Sequence, residues 1–499
     1  MKATLLTRRY LLEYARRPLN LVLLLLVPLV FVVLVSGALG DFAKVIGGVG
    51  DPGLLAAPSA GWAAGFLAGV AGFFHVLGSR NADRRLASAG FGPRRIVTAR
   101  LISGVILALL AAASALVALA ARTGLADPVR AIAGSVMFAV IYLAIGVAVG
   151  SVIRNEVNGS LVVIFVWMLD VFLGPAMAGG DVWVTRLFPT HFVTLLMLDA
   201  PSGHAGSIGD VGWALLWTVG ALLLAAVLLA SATKTHPLHW YRGARWASVR
   251  RAWEGLRYGM REYRRNIAMW VLLAVLPVFF ISLSFVITPD QPAPVELSEG
   301  GVTTARLISM TDLHGAIMVP ITIAFLAGLA GLFVIQASSE ADRRLVIAGF
   351  RTREILVARL GVIGLAGLIA TGVSLAITAI DFTPGSWMGF TVGNVLVAVT
   401  YGLVGVLIGS LFGRLGGLYL MFLLPFIDVG LAQNVMFSAV PPAWGAFLPA
   451  RGAMRVLVNA AFTPSFDQIG NLLLALGWVV ALGLVAALVL RRTAGVQST

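Results

Sequence analysis

The sequence predicts an all-α integral membrane protein of about twelve transmembrane helices, arranged as two parallel six-helix repeats. The composition is 59% hydrophobic and only 12% charged, with a mean hydropathy of +0.95. A soluble domain of 499 residues does not hold so much apolar surface. Two further observations specify the arrangement: apolar runs of spanning length, and a basic stretch that occurs twice. The lipid bilayer is therefore the first expected partner.

The apolar runs fall into two sets of six, each near the length of about 20 residues that crosses the hydrocarbon core. The first half contains runs at 19–39, 60–79, 96–121, 131–153, 159–178 and 211–231. The second half contains runs at 268–287, 314–337, 355–380, 388–412, 416–434 and 470–490. The first run lacks a small-residue cleavage pattern, so we expect it to remain as a span.

A repeated stretch indicates a tandem duplication. Residues 82–101 read ADRRLASAGFGPRRIVTARL and residues 341–360 read ADRRLVIAGFRTREILVARL, with 13 of 20 positions identical. Similar offsets relate three further pairs: Tyr142 and Tyr401, Asp170 and Asp428, Trp217 and Trp478. We expect one six-span half at 1–240 and another at 241–499. Because each half has an even number of spans, both enter the bilayer from the same side.

The distribution of positive charge predicts the orientation. With the N-terminus inside, the inner segments hold 29 of the 36 Lys and Arg residues. The outer segments hold the other seven: Lys44, Arg122, Arg130, Arg186, Arg306, Arg451 and Arg455. The positive-inside rule then predicts a plasma-membrane protein with both termini in the cytoplasm. The same rule explains the net charge of +14 without nucleic acid, which we exclude as a partner.

Amphipathic segments precede each set of spans. Arginines and apolar residues separate onto different helix faces, which predicts interfacial helices at 1–17 and 248–266, although Leu6 and Arg8 break the pattern in the first. Pro, Gly and aromatic residues predict short helices on the outer surface. These outer segments are 179–210 and 435–469, between the last two spans of each half, and the shorter 40–59 and 288–313.

Several kinds of chemistry are excluded by the residues present. The six histidines are dispersed and there is no cysteine, so no metal site is predicted; His236 and His239 are interpreted as a solvated loop pair. No Gly-rich loop ends in Gly-Lys-Ser/Thr, and no serine lies in a nucleophile elbow. The chain is therefore expected to be no enzyme and to bind no cofactor itself.

The repeated stretch predicts a short arginine-rich helix at the membrane surface, a turn at Gly90–Pro93, and a new helix that enters the third span. The positive-inside rule requires only positively charged residues in a cytoplasmic segment. Both copies, however, also keep uncharged residues, in the first copy Leu86, Ala89, Gly90, Phe91 and Ile96. This shared shape favours a docking surface for a partner over a plain positive-inside loop.

The stretch resembles the segment between spans two and three of type-2 ABC transporter permeases, the membrane subunits of ABC exporters. Those proteins often have an acidic residue, a basic residue, Gly-x-Leu, and then Pro followed by a basic residue. The matching residues here are Asp83-Arg84-Arg85-Leu86 with Pro93, Arg94 and Arg100, and Asp342-Arg343-Arg344-Leu345 with Arg353 and Arg359. Arg85 and Arg344 replace the common Gly, and Thr352 replaces the Pro. The chain resembles two such permeases fused in tandem.

This resemblance implies two copies of a separate cytoplasmic nucleotide-binding ATPase, which would hold ATP and Mg, docked on loops 80–95 and 339–354. The residues expected to contact it are Asp83, Arg84, Arg85, Arg94, Asp342, Arg343, Arg344 and Arg353. Spans with few charges favour export of a hydrophobic or amphipathic substrate such as a drug, an antibiotic or a lipid.

Other classes of membrane protein remain as alternatives. A proton-coupled transporter of the major facilitator type also has two parallel halves, and its loop motif is partly matched from Gly78 to Arg85. The spacing differs, because Gly78 lies five residues before Asp83 and the motif requires four. A channel or a non-transport scaffold is the other alternative, and the absence of any ATPase partner would favour it.

Two acidic residues occupy equivalent places in the predicted fifth and eleventh spans. A carboxylate inside a membrane is costly, so Asp170 and Asp428 are candidates for the translocation pathway or a proton site. The favoured interpretation is structural, with each carboxylate near the outer end of its span, capping a short outer helix. Glycine pairs with GxxxG spacing, Gly146/Gly150 and Gly405/Gly409, predict close helix packing.

Overall fold

Long apolar runs form helices because a bilayer leaves backbone polar groups no partner except the helix itself. The computed structural model describes residues 2–16, 18–45, 53–89, 91–177, 183–198, 208–232, 273, 275–283, 285, 288, 290–347, 352–437 and 442–495. Contacts divide the chain into two compact units, Met1–Tyr241 and Arg242–Thr499. The division lies beside the boundary expected from the repeat, and the assignment of each unit to a permease half stays a prediction.

The first unit is entirely helical where it is described. Its α-helices are α1 Lys2–Ala15, α2 Pro18–Val45, α3 Ala56–Leu77, α4 Arg80–Ser88, α5 Pro93–Thr123, α6 Pro128–Val152, α7 Glu156–Phe172, α8 His191–Leu198 and α9 Gly209–Ala232. A short 3-10 helix, Trp183–Leu187, precedes α8. Short helices predicted within 179–210 are thus confirmed at its described residues.

The second unit repeats the helical pattern and adds a hairpin. Its α-helices are α10 Met310–Ile347, α11 Thr352–Asp381, α12 Trp387–Pro425, α13 Arg451–Phe462 and α14 Ile469–Gly495, with π-helical turns at Val278–Leu283 and Phe426–Ala432 and a 3-10 helix at Ala443–Phe447. The predicted interfacial helix 248–266 lies outside the described residues.

The expectation of short helices was wrong at 288–313. There β1, Pro292–Glu299, pairs antiparallel with β2, Val302–Ser309. The turn residues Gly300 and Gly301 adopt φ values of 61° and 78°, a conformation that side-chain-bearing residues rarely take. Alternate residues of β1 are buried, which is the period of a strand with one covered face. The Pro and Gly content therefore marked a hairpin and not a helix.

Eight helices in the described residues are long and apolar enough to cross a membrane, or nine if α1 and α2 form one bent span. The predicted tenth and eleventh spans run together in one helical stretch, Trp387–Ala432, which is interrupted at Gly413, where φ is 70°. Helix α7 has only 17 residues, and the start of the predicted seventh span, residues 268–272, lies outside the described part. An all-α multi-pass membrane protein is confirmed; the count of twelve stays a prediction.

Glycines bring two helix pairs into backbone contact, as the GxxxG spacing predicted. A Cβ placed on Gly146 of α6 would lie 1.9 Å from the carbonyl oxygen of Gly69 in α3. In the second unit, a Cβ on Gly405 of α12 would lie 2.0 Å from the carbonyl oxygen of Gly328 in α10. No side chain fits at either position, so the same close packing is built into both units.

Helix α1 has one face against the protein. Leu6 and Tyr10 are buried and pack with Ala99 of α5, whereas Arg8 and Arg9 are exposed. Leu6, which broke the predicted amphipathic pattern, is thus part of the buried face. The bend between α1 and α2 is 82°, so α1 runs across the direction of the first long apolar helix.

Candidate functional site: a docking helix and its anchors

The repeated stretch of the first unit folds as predicted into a helix, a turn and a second helix. Helix α4 contains the arginine-rich residues, and α5 begins at Pro93, which suits a first helical position because its missing N–H would have no partner there. The turn is closed by the Phe91 N–H, which donates to the Leu86 carbonyl at 3.0 Å. Phe91 and Leu86 also pack against the cluster of Leu6, Tyr10 and Ala99.

A buried ion pair fixes α4 to α5. The Arg100 guanidinium donates from Nε and Nη2 to the two carboxylate oxygens of Asp83, each at 2.8 Å. Both side chains are 3% exposed. The Tyr10 hydroxyl donates to Asp83 Oδ1 at 3.2 Å, and the Arg100 guanidinium carbon lies 3.5 Å from the centre of the Tyr10 ring. The two hydrogen bonds from Arg100 and the third from Tyr10 satisfy the oxygens of the buried carboxylate. They thereby offset the free-energy cost of removing its charge from water.

This anchor changes the role that was expected for Asp83. Its carboxylate is bonded inside the unit and positions α4, and a contact between Asp83 and an ATPase stays a prediction. Burial also raises the pKa of Tyr10 to about 12, an effect that the Arg100 charge opposes and the Asp83 carboxylate reinforces. The phenol therefore stays protonated and remains a hydrogen-bond donor at neutral pH.

The arginines around this anchor have two different environments. Arg85 and Arg94 are exposed, whereas Arg84 is half-buried and donates from Nε to the Ala232 carbonyl at the end of α9, at 3.3 Å. Arg80 donates to the Ser151 carbonyl of α6 at 2.7 Å. Burial lowers the pKa of Arg80, and the positive charges of Arg84 and Arg154 lower it further. A concentration of positive charge thus lies at this end of the bundle.

In the second copy of the stretch, residues 341–347 and 352–354 are described only as backbone, and residues 348–351 lie outside the described part. Helix α10 continues through Asp342, Arg343 and Arg344 and ends at Ile347, whereas the first unit breaks between α3 and α4 at Gly78 and Ser79. The side chains of these three residues and of Arg353 lie outside the described part. Their contact with an ATPase therefore stays a prediction.

Asp170 and Asp428 have matching buried environments. Asp170 Oδ2 accepts from the Tyr142 hydroxyl at 2.5 Å and from the Thr190 hydroxyl at 2.7 Å. Asp428 Oδ2 accepts from the Tyr401 hydroxyl at 2.8 Å and from the backbone N–H of Ala450 at 2.9 Å.

Each of these carboxylates binds the start of an outer helix. Thr190 directly precedes α8, and Ala450 directly precedes α13. The contacts therefore match the structural interpretation, in which an acidic side chain meets the N-terminus of a helix, where a negative charge is favoured. A role for the two carboxylates in translocation stays a prediction.

Sequence reasoning missed the residues that hold α4 in place. Arg100 is identical to Arg359 in the second copy, as Asp83 is to Asp342, and this pairing of opposite charges was the available signal. Tyr10 had no such signal, because it lies 73 residues before its acceptor. His75 of α3 extends the cluster with a hydrogen bond to Ser103 at 2.8 Å. Within the described residues, no group of His, Asp and Glu is arranged to hold a metal ion.

The site is a charged helix between two long apolar helices, anchored on a multi-pass bundle, which is an arrangement expected of a transport subunit. Residues 61–233 match the family model described as ABC-2 family transporter protein. This segment of the chain is therefore similar to the membrane permeases of type-2 ABC transporters, and the match lies in the first half of the chain. A search of curated proteins finds no match.

Proposed function

We propose that the chain is the membrane subunit of an ATP-driven exporter, with two permease halves fused and two copies of a separate cytoplasmic ATPase docked on them. The observation that carries the proposal is α4, a helix with exposed arginines held on the bundle by a buried ion pair, within the residues that match the family. ATP and Mg would belong to the partner subunit.

The contacts of α4 support its role as the element that transmits movement. It is joined to α1 through Tyr10, to α5 through Arg100, to α6 through Arg80 and to α9 through Arg84. A displacement of α4 would therefore act on four helices of the same unit. Rigid-body movement of packed helices is a common way to convert a local push into a large change.

The orientation and the second docking surface rest on the sequence. The excess of Lys and Arg on the α4 side supports a cytoplasmic α4 and cytoplasmic termini. Loop 339–354 would carry the second ATPase by analogy with 80–95. The few charges within the apolar helices support a hydrophobic or amphipathic substrate. Export measured in a variant with both Asp170→Asn and Asp428→Asn tests the pathway prediction, since full activity would remove both carboxylates from it.

The docking proposal is tested by reversing an exposed charge. Arg85→Glu places a negative charge on α4 without touching the buried pair, so we expect loss of the co-purifying ATPase, or loss of coupling between substrate and ATP hydrolysis. The measurement is the amount of nucleotide-binding subunit of about 30 kDa retained on purification from the native membrane. Arg130→Glu is the control, because the Arg130 side chain is partly exposed, at 31%, and lies at the other end of the bundle.

The outcome can contradict the proposal in two ways. Retention of the ATPase with unchanged ATP hydrolysis in Arg85→Glu would remove α4 as a docking surface. Purification of the unaltered protein without any nucleotide-binding subunit would favour a channel or scaffold instead.

A further inference from the structure

We propose that the first unit holds an anionic phospholipid in a cavity between α8 and α9. The cavity has a volume of about 470 Å³, within the range of roughly 300–1,000 Å³ typical of ligand pockets. It is lined by Arg186, Leu187, Phe192, Trp213, Leu216 and Trp217. Five apolar residues and one arginine suit a ligand with an apolar chain and a negatively charged head.

One wall of the cavity is aromatic, and another is a face of α9 that is exposed within the first unit. The Phe192 ring of α8 stacks on the Trp213 ring of α9, with centroids 5.8 Å apart and planes 20° from parallel. Leu216 is 54% exposed, and it continues an apolar face of α9 that includes Leu215 and Val219. In this proposal the exposed face of α9 meets lipid chains, so a chain of the bilayer enters the cavity without crossing water.

The charge at the cavity selects the head group. Arg186 is half-buried in the 3-10 helix before α8, and its guanidinium can donate two parallel hydrogen bonds to a phosphate. Tryptophans at the level of the head groups hold a lipid-embedded segment at a fixed depth. A phospholipid with a net negative charge complements both the positive charge of Arg186 and the apolar walls, and a bilayer supplies such a ligand.

The second unit closes the equivalent space. The residues that correspond to Arg186, Phe192 and Trp213 are Ala446, Gly452 and Leu474, by the offsets that relate Pro189 to Pro449 and Trp217 to Trp478. A Cβ on Gly452 would lie 2.3 Å from the Asn471 carbonyl oxygen, so α13 contacts the backbone of α14 directly. In the first unit a phenylalanine ring takes the place of that glycine, and the phospholipid site is built in this half.

The test uses the full chain, delipidated in detergent and examined by native mass spectrometry. The probes are palmitoyl-oleoyl phosphatidylglycerol and the zwitterionic phosphatidylcholine with the same chains. We expect one phosphatidylglycerol to be retained more tightly than phosphatidylcholine. Arg186→Gln should weaken it about tenfold, the size expected for loss of one charge-assisted contact. Arg186→Lys should lose less than Arg186→Gln.

A second variant and a control keep the test decisive if Arg186→Gln folds poorly. Leu216→Trp fills the cavity without altering any charge, and it should abolish tight retention of phosphatidylglycerol. Arg130→Gln removes another partly exposed arginine near the same end of the bundle, one paired with Asp127, and should leave phosphatidylglycerol retention unchanged. Equal retention of the two lipids, or unchanged retention in Arg186→Gln or Leu216→Trp, would overturn the proposal.

Discussion

Replacing Asp83 by Ala should release α4 from the bundle. The change leaves the Arg100 guanidinium, which is 3% exposed, without its carboxylate, and it removes the acceptor of the Tyr10 hydroxyl. Breaking a buried, hydrogen-bonded ion pair on one side costs about 3–5 kcal/mol. Each 1.4 kcal/mol is about a factor of ten in an equilibrium constant, so local opening of α4 should increase at least about 100-fold.

Hydrogen exchange of the α4 amides measures this opening directly, since it reports local unfolding separately from the rest of the membrane protein. Glu299→Ala is the control, because it breaks the exposed ion pair between Glu299 and Arg306. The Glu299 and Arg306 side chains are 36% and 48% exposed, so the loss of stability should be less than about 1 kcal/mol. The double variant Asp83→Leu with Arg100→Met should regain most of the protection, because no buried charge is left unpaired. Unchanged exchange of α4 in Asp83→Ala would refute the anchoring argument.

Two further predictions concern packing and the outer helices. Gly146→Ala should destabilise the solubilised protein by about 1–3 kcal/mol because its Cβ would overlap the Gly69 carbonyl oxygen, whereas Gly220→Ala in α9, with open space around it, should be neutral or stabilising; equal melting temperatures would contradict this. Tyr401→Phe should lower the melting temperature more than Tyr142→Phe. In the first unit Asp170 keeps the Thr190 hydroxyl as a donor, whereas in the second unit Asp428 keeps the backbone N–H of Ala450 and no hydroxyl. The reverse order would show that the tyrosines act independently of these carboxylates.

Much of the architecture is determined by the sequence because membranes restrict the choice of backbone. Long apolar runs can satisfy their peptide groups only as helices, so α3, α5, α6 and α9 lie where the hydropathy places them. The GxxxG spacing identified the close contact at Gly146 and Gly405 because small residues on one face permit little else. The hairpin was missed because Pro and Gly mark a change of chain direction without specifying whether strands or helices flank it.

The candidate site was only partly predictable, and the reason is the distance along the chain between its members. The sequence alone determined that residues 80–95 form a charged helix, a turn and a helix start, since charge, glycine and proline act locally. It also contains the repeated stretch that predicts a duplication. Only the tertiary structure decided that Asp83 points inward, because the burial of a carboxylate depends on Arg100, 17 residues later, and on Tyr10, 73 residues earlier. The sign of a side chain's charge can be read from the sequence. Whether that side chain faces a partner or the protein core depends on how the helices pack.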